Sequence, residues 1–289
     1  MFSKSIVTRA LALGVAAFTF TSCDEETLNS LGNLTQGDTV AALKEALNVG
    51  VKTAVTRLGS EGYIADVATK IGLPEEAQTA FTAYNALQSA CKSNAVLNST
   101  VGAALSSVGL GENLEDNMIQ LFNDAATEAA PEAASVFASA ITNMSVKDGE
   151  EILFGGSGAA TTYLKDNTYT GLQSAFHDPI TKSMNNVNIA GLTATSAWNK
   201  FATGNNKLAG YINQYRSAID LASSLGAIPA NAMTAINKVG EVNPDASDYV
   251  TGKALDGLFL RVSQKEDDIR TNAASRTSDL LKRVFGRLD

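Results

Sequence analysis

From Val40 the chain carries apolar residues three and four apart: Val40, Leu43, Leu47, Val51, Ala54 and Leu58. That spacing puts one apolar stripe on a helix, with Lys44, Glu45, Lys52 and Arg57 mostly off it. Few segments alternate apolar and polar residues for long enough to make strands, and β-branched residues are mostly interspersed with alanine. The expectation is an all-α fold, a single multi-helix, bundle-like domain. At 289 residues, 45% of them hydrophobic, the chain can bury a large core.

Glycine and proline divide the pattern. Gly59 and Gly62 end the first helix, and Pro74 opens a second over Glu75–Lys92. Further helices are expected at Ala95–Val108, Leu114–Ala130 and Glu132–Met144, with Pro131 a kink or a new start. Ser145 is placed as the N-cap of Val146–Phe154, with Gly155 as its stop. A short helix at Ala159–Lys165 precedes others at Thr170–Asn185, Ala194–Ala202, Leu208–Leu225, Ala230–Val239, Ala246–Arg270 and Ser278–Gly286.

The first 22 residues follow different rules. Lys4 and Arg9 precede an apolar stretch from Ala10 to Phe20, then small polar residues and a cysteine, the layout of a secretory signal. The stretch is shorter than the roughly 20 residues of a membrane-spanning helix. Phe20-Thr21-Ser22-Cys23 resembles a lipobox, with Phe20 in place of the usual leucine, so Cys23 is the expected site of lipidation. Its acyl chains would be the membrane contact, more than one being needed for stable anchoring. The expected organisation is a lipoprotein signal over 1–22, a lipidated cysteine and turn-rich tether over 23–37, and a helical domain over 38–289. Asp24-Glu25-Glu26 looks either like an acidic tag for export across the outer membrane or like a solvated tether. Asp24 alone resembles an inner-membrane retention signal, so an outer-membrane location is expected with the leaflet open.

Cleavage after residue 22 removes two bases and no acid, leaving 20 basic against 30 acidic residues. That balance argues against nucleic acid, whose binding rests on basic contacts to phosphate. It also argues against adhesion to anionic lipid. The two cysteines, Cys23 and Cys91, exclude a cysteine-based zinc site. Acylation of Cys23 would leave Cys91 without a partner, either a small buried residue or a reactive thiol.

Several blocks together resemble the bacterial family catalogued as domain of unknown function 4197. They include Leu43-Lys44-Glu45-Ala46-Leu47, Ile71-Gly72-Leu73-Pro74 and Ala129-Ala130-Pro131-Glu132-Ala133. More specific are Gly155-Gly156 with Ala159-Ala160-Thr161 and Tyr163, and Asp248-Tyr249-Val250-Thr251 with Lys253 to Phe259. Arg276-Thr277 and Val284-Phe285-Gly286 close the chain in the same manner. The alanine- and serine-rich stretch around Thr82–Gly111 departs from the pattern, as does Asn188–Asn206. The resemblance implies an exported helical protein and brings no catalytic residue.

Candidate chemistry is sparse. Gly155-Gly156-Ser157-Gly158 precedes a helix carrying Thr161 and Tyr163, so it is either a tight corner or a site for an anion at the helix's positive end. It lacks the spacing of a phosphate-binding P-loop. Tyr249, Lys253 and Asp256 fall at i, i+4 and i+7, a row that either binds a polar ligand or is a solvated edge. His177 is the single histidine, which excludes a multi-histidine metal centre and favours a polar or capping role. Glu266-Asp267-Asp268 lacks the alternating spacing of a calcium loop and is expected to solvate a helix end, pairing with Arg270 or Lys265. The basic residues of the last helix, Arg276, Lys282, Arg283 and Arg287, suit either a docked terminal helix or one lying on a membrane. No catalytic residue, metal or cofactor is expected. The functional expectation is a lipid-anchored envelope protein whose domain binds a partner protein or a small ligand. An envelope enzyme using carboxylates such as Asp248, Asp256 or Glu132 is the alternative.

Overall fold

The computed structural model describes residues 34–111 and 113–289. The signal-like segment, Cys23 and most of the tether lie outside them. Helix α1 spans Gln36–Glu61 and opens on a capping box: Thr35 Oγ1 accepts from the Asp38 amide and the Asp38 carboxylate accepts from the Thr35 amide. This start lies inside the expected tether, and Gly37 is helical. Gly59 stays within the helix as well; Gly62, at φ +84°, ends it.

The remaining elements are α2 (Glu75–Ser93), α3 (Ala95–Leu97) and α4 (Ala103–Ser106) flanking a π-helical turn at Asn98–Gly102, α5 (Leu114–Asn143), α6 (Gly149–Phe154) and α7 (Ala159–Asn186). A two-stranded hairpin, β1 (Asn188–Ile189) and β2 (Leu192–Thr193), leads into α8 (Ala194–Gln214), α9 (Arg216–Ser224), α10 (Ala230–Lys238), α11 (Ser247–Thr271) and α12 (Asp279–Phe285). Apart from that hairpin the described residues are all-α. The hairpin turn needs positive φ at both Ala190 and Gly191, as a tight two-residue connection requires.

Four long helices, α1, α5, α7 and α11, form a closed ring in which each packs against two neighbours. All four neighbouring pairs run antiparallel. Lys44 at the start of α1 reaches the Thr142 carbonyl at the end of α5 at 2.9 Å. Tyr163 near the start of α7 donates to the Ser145 carbonyl just past α5, while Asn186 at its other end reaches Glu128. Lys165 of α7 meets Asp256 of α11, and Tyr169 meets Gly252. Buried Tyr63, just after α1, donates to the Ala254 carbonyl of α11 at 3.0 Å, and burial holds its phenol far above the ordinary value. Gly257 makes room for that ring, since a Cβ there would come within 2.7 Å of Tyr63 Cε1. Outside the ring, α2 pairs with α10, and α8 bridges them to α5.

Packing overrides several local signals. Pro131 neither ends nor restarts a helix: α5 runs through it for 30 residues. The ring stands about a van der Waals contact from where a Cβ on Gly59 of α1 would lie. An interior proline costs about 3 kcal/mol, which the buried faces on both sides of α5 offset. The two helices expected at Ala159–Lys165 and Thr170–Asn185 are one: α7 runs unbroken through residues 166–169, with Leu164 and Leu172 buried on either side of the join. The expected helices at Ala194–Ala202 and Leu208–Leu225 are instead α8 and α9, broken at Tyr215. Ser145 caps no helix; α6 begins at Gly149.

Candidate functional site

At one end of the bundle, Gly155-Gly156-Ser157-Gly158 joins α6 to α7. Gly156 and Gly158 stand at φ +89° and +65°, conformations that favour glycine. The turn aims the first amides of α7 at the end of α11, where the carboxylate of Glu266 waits. Glu266 accepts from the Ala160 amide at 2.9 Å, the Thr161 amide at 2.7 Å and Thr161 Oγ1 at 2.6 Å. Its neighbour Asp267 accepts from the Gly158 amide at 2.8 Å and Ser157 Oγ at 2.7 Å. The positive end of α7 therefore holds an anion, and that anion is the protein's own side chain. This corrects the expectation that Glu266 solvates a helix end: it is 0% exposed.

Arg270 completes the arrangement. Its Nε donates to Glu266 at 2.7 Å, and its two terminal nitrogens donate to the Leu153 and Ile152 carbonyls at the end of α6. One buried ion pair thus bridges the positive start of α7 and the negative end of α6. Arg276 closes α11 similarly, donating to the Ile269 and Arg270 carbonyls and twice to Asp289. Arg276 is buried, and Leu281, Val284 and Phe285 of α12 are fully covered, so the terminal helix is docked on the bundle. Beside the corner lies a cleft of about 540 Å³, lined by Gly156, Ser157, Phe154, Arg270 and Leu288 among others. Phe154 is 55% exposed there, under the Arg287 guanidinium. Thr161 is buried beneath Glu266, and Tyr163 turns away to Ser145.

The Tyr249, Lys253 and Asp256 row does not join this corner. Tyr249 precedes Glu266 by 17 residues of one helix, about 25 Å at 1.5 Å per residue. Asp256 pairs with Lys165 at 2.9 Å, and Lys165 in turn lies over the Tyr169 and Phe259 rings. Lys253 lies 5.8 Å from the centre of the Tyr249 ring. The Tyr249 hydroxyl donates to the Gly72 carbonyl, and burial, with Glu76 nearby, pushes its phenol up. Tyr249 also lines a smaller cleft of about 290 Å³ with Trp198, Glu76, Glu241 and Asp245.

His177 is less superficial than its sequence context implied. Its Nε2 is 2.9 Å from Ser247 Oγ, and Asp178 and Asp248 carboxylate oxygens lie 3.6 Å from its two ring nitrogens. Ser247 is 2% exposed and its amide donates to Asp245, so the contact pins α7 to the start of α11 rather than presenting a hydroxyl for attack. Ser247 had no role in the sequence reading; Asp245 two residues before it, a turn-forming spacing, was the available signal.

Two more grooves run between α5 and α7. One, about 530 Å³, is lined by Val136, Ala140, Met144, Asn167 and Leu172 among others. The other, about 450 Å³, lies around Pro179 and carries Glu128, Glu132, Asp178 and Lys182. Among the described residues no three metal-ligating side chains converge, and no helix is long and apolar enough to cross a membrane. Cys91 is free and buried, and burial pushes its thiol pKa up.

Fold and clefts together define an all-α protein on an antiparallel four-helix core whose corner is sealed by an internal carboxylate. The chain belongs to the family described as "Protein of unknown function (DUF4197)", whose model matches residues 33–104 and 97–286. The two matched segments overlap at residues 97–104, within the alanine- and serine-rich stretch. Comparison with curated proteins and with solved structures gave no match.

Proposed function

We propose that this protein is anchored in the bacterial envelope by acyl groups on Cys23 and that its bundle is a binding module for a partner protein or small ligand. The observation that carries the anchor is the signal-like Met1–Ser22 ending in Phe20-Thr21-Ser22-Cys23. The binding role draws support from clefts of about 530 and 540 Å³, within the size range of small-molecule sites. Gly156 and Ser157 line the second of these; Thr161 is committed to Glu266 and contributes nothing to a ligand. The outer membrane is the favoured location, with Asp24-Glu25-Glu26 bearing on the leaflet. Cys23→Ser should move the protein from the detergent phase to the aqueous phase in a partition assay; unchanged partitioning would refute the anchor.

One groove favours a second reading, an envelope enzyme with carboxylate chemistry. Glu132, with Glu128 and Asp178, lines the depression around Pro179 beside Lys182. Glycan cleavage needs two such groups about 5–10 Å apart. Turnover of peptidoglycan by the purified protein, abolished by Glu132→Gln, would establish this reading in place of the first. Absence of turnover on such polymers would leave the binding module.

A further inference from the structure

The two ends of the four-helix core differ in what covers them. At one end α2, α8 and α10 pack near the starts of α5 and α11: Trp198 of α8 lies against Phe122 of α5, and Tyr249 of α11 donates to Gly72 just before α2. The other end, where α1 begins and α5 stops, carries the short helices α6 and α12. Phe154 closes α6 there, and it is the one exposed aromatic side chain among the described residues. We propose that this end rests on the bilayer that holds the Cys23 acyl chains, with the Phe154 ring in the membrane interface.

A run of contacts ties that ring to the point where the chain enters the bundle. Gln36, at the start of α1, donates to the Lys147 carbonyl at 2.6 Å, and Thr39 Oγ1 donates to Glu150 at 2.8 Å. Glu150 accepts from both terminal nitrogens of Arg287, whose guanidinium lies 5.1 Å from the centre of the Phe154 ring. Phe154 therefore stands two side chains away from the first turn of α1. From Cys23 to Thr35 the chain advances 12 residues, a reach of at most about 43 Å. Helix α1 alone, at 26 residues, is about 39 Å long. The end bearing Phe154 thus meets the membrane well within that reach, whereas exposed Val67, just past the far end of α1, meets it only near the limit. Phenylalanine and leucine suit the interfacial zone, and Leu288 lines the cleft beside Phe154. Arg287 keeps its charge at headgroup level while its stem lies along apolar surface. Its charge is already matched by Glu150, and Asp267 and Asp289 border the same cleft, so the contact is apolar rather than an attraction to anionic lipid.

The inference rests on the Cys23 anchor proposed above. The lipidated protein is reconstituted into phosphatidylcholine vesicles with plain or brominated acyl chains, and flotation measures how much of it is bound. Bromine quenches tryptophan at short range. Trp198, the chain's single tryptophan, is buried toward the far end and supplies the baseline. Phe154→Trp adds a reporter at the proposed contact, and Val67→Trp adds one at the far end. Both positions are exposed, so both variants should keep the parent's circular dichroism spectrum. An interfacial ring lies about 5–10 Å into the boundary of headgroups and acyl chains, so brominated chains should quench the added Phe154→Trp signal by about half or more. The quenching should persist in high salt, with the parent and Val67→Trp nearly unchanged. Bound protein whose Phe154→Trp emission is the same with plain and brominated chains overturns the inference and leaves this end to a protein partner. Equal quenching of Val67→Trp overturns it as well, since neither end is then preferred, and so does quenching that high salt abolishes. Protein that does not float with the vesicles overturns the anchor itself, and the inference with it.

Discussion

Replacing Glu266 by alanine should remove more stability than any surface change in this protein. The side chain is fully buried and accepts from two α7 amides, from Thr161 Oγ1 and from Arg270. Deleting it strands the Arg270 guanidinium, whose side chain is 5% exposed, with only two carbonyl acceptors. Breaking a buried pair from one side typically costs about 3–5 kcal/mol. Each orphaned buried amide adds about 1–3 kcal/mol, though these costs overlap. We expect about 4 kcal/mol in total, a large share of the roughly 5–15 kcal/mol that holds a native domain together. At about 2–4 °C per kcal/mol for a domain of this size, the melting temperature falls by about 8–16 °C. Urea unfolding followed by circular dichroism, cross-checked by Trp198 fluorescence for two-state behaviour, gives the value.

The same residue allows a sharper version. Arg270→Met removes the cation but leaves Glu266 with its α7 donors, and the double variant removes both charges. If one ion pair serves both helix ends, the two substitutions should be non-additive by about 2 kcal/mol, the double variant being less damaged than the sum. An additive cycle, or a Glu266→Ala loss below about 1 kcal/mol, would refute the bridging role.

Two other expectations follow from the geometry. Glu150 is held below its ordinary value of 4.5, first by its hydrogen bonds from Arg287, so its contribution is complete at neutral pH and lost as pH falls below that value toward the lowered folded one. The difference in melting temperature between the parent and Glu150→Gln should therefore shrink between neutral pH and about pH 3; a difference that stays constant would contradict the pairing. Gly204 lies where a Cβ would approach the Val108 carbonyl to 2.7 Å, a backbone atom that cannot step aside cheaply. Gly204→Ala should cost about 1–3 kcal/mol in urea unfolding despite its better helix propensity, and a stabilised variant would show that the approach is looser than described.

How far each feature was legible in the sequence depends on whether its cause is local. The α1 stripe from Val40 to Leu58 turned inward because helical spacing alone puts those residues on one face; Leu43, Leu47, Val51, Ala54 and Leu58 are buried. The glycine corner was visible because two of its residues need positive φ. The anion at that corner was not, since its source is more than a hundred positions along the chain. A string of three acids reads as a solvated cluster until α11 brings Glu266 under α7. The His177–Ser247 contact, 70 positions apart, was hidden for the same reason.

Sequence alone therefore determined the helical class, the family pattern and the expectation of an anchor at Cys23, each of which rests on neighbouring residues. Only tertiary structure decided that Pro131 lies inside a helix, that the Tyr249, Lys253 and Asp256 row is divided between separate contacts, and that the best anion site is already filled. The physical reason is the same in each case. Burial and charge pairing are properties of surfaces brought together, and their energies of several kcal/mol exceed the preferences of about 1 kcal/mol or less that most single residues express by themselves.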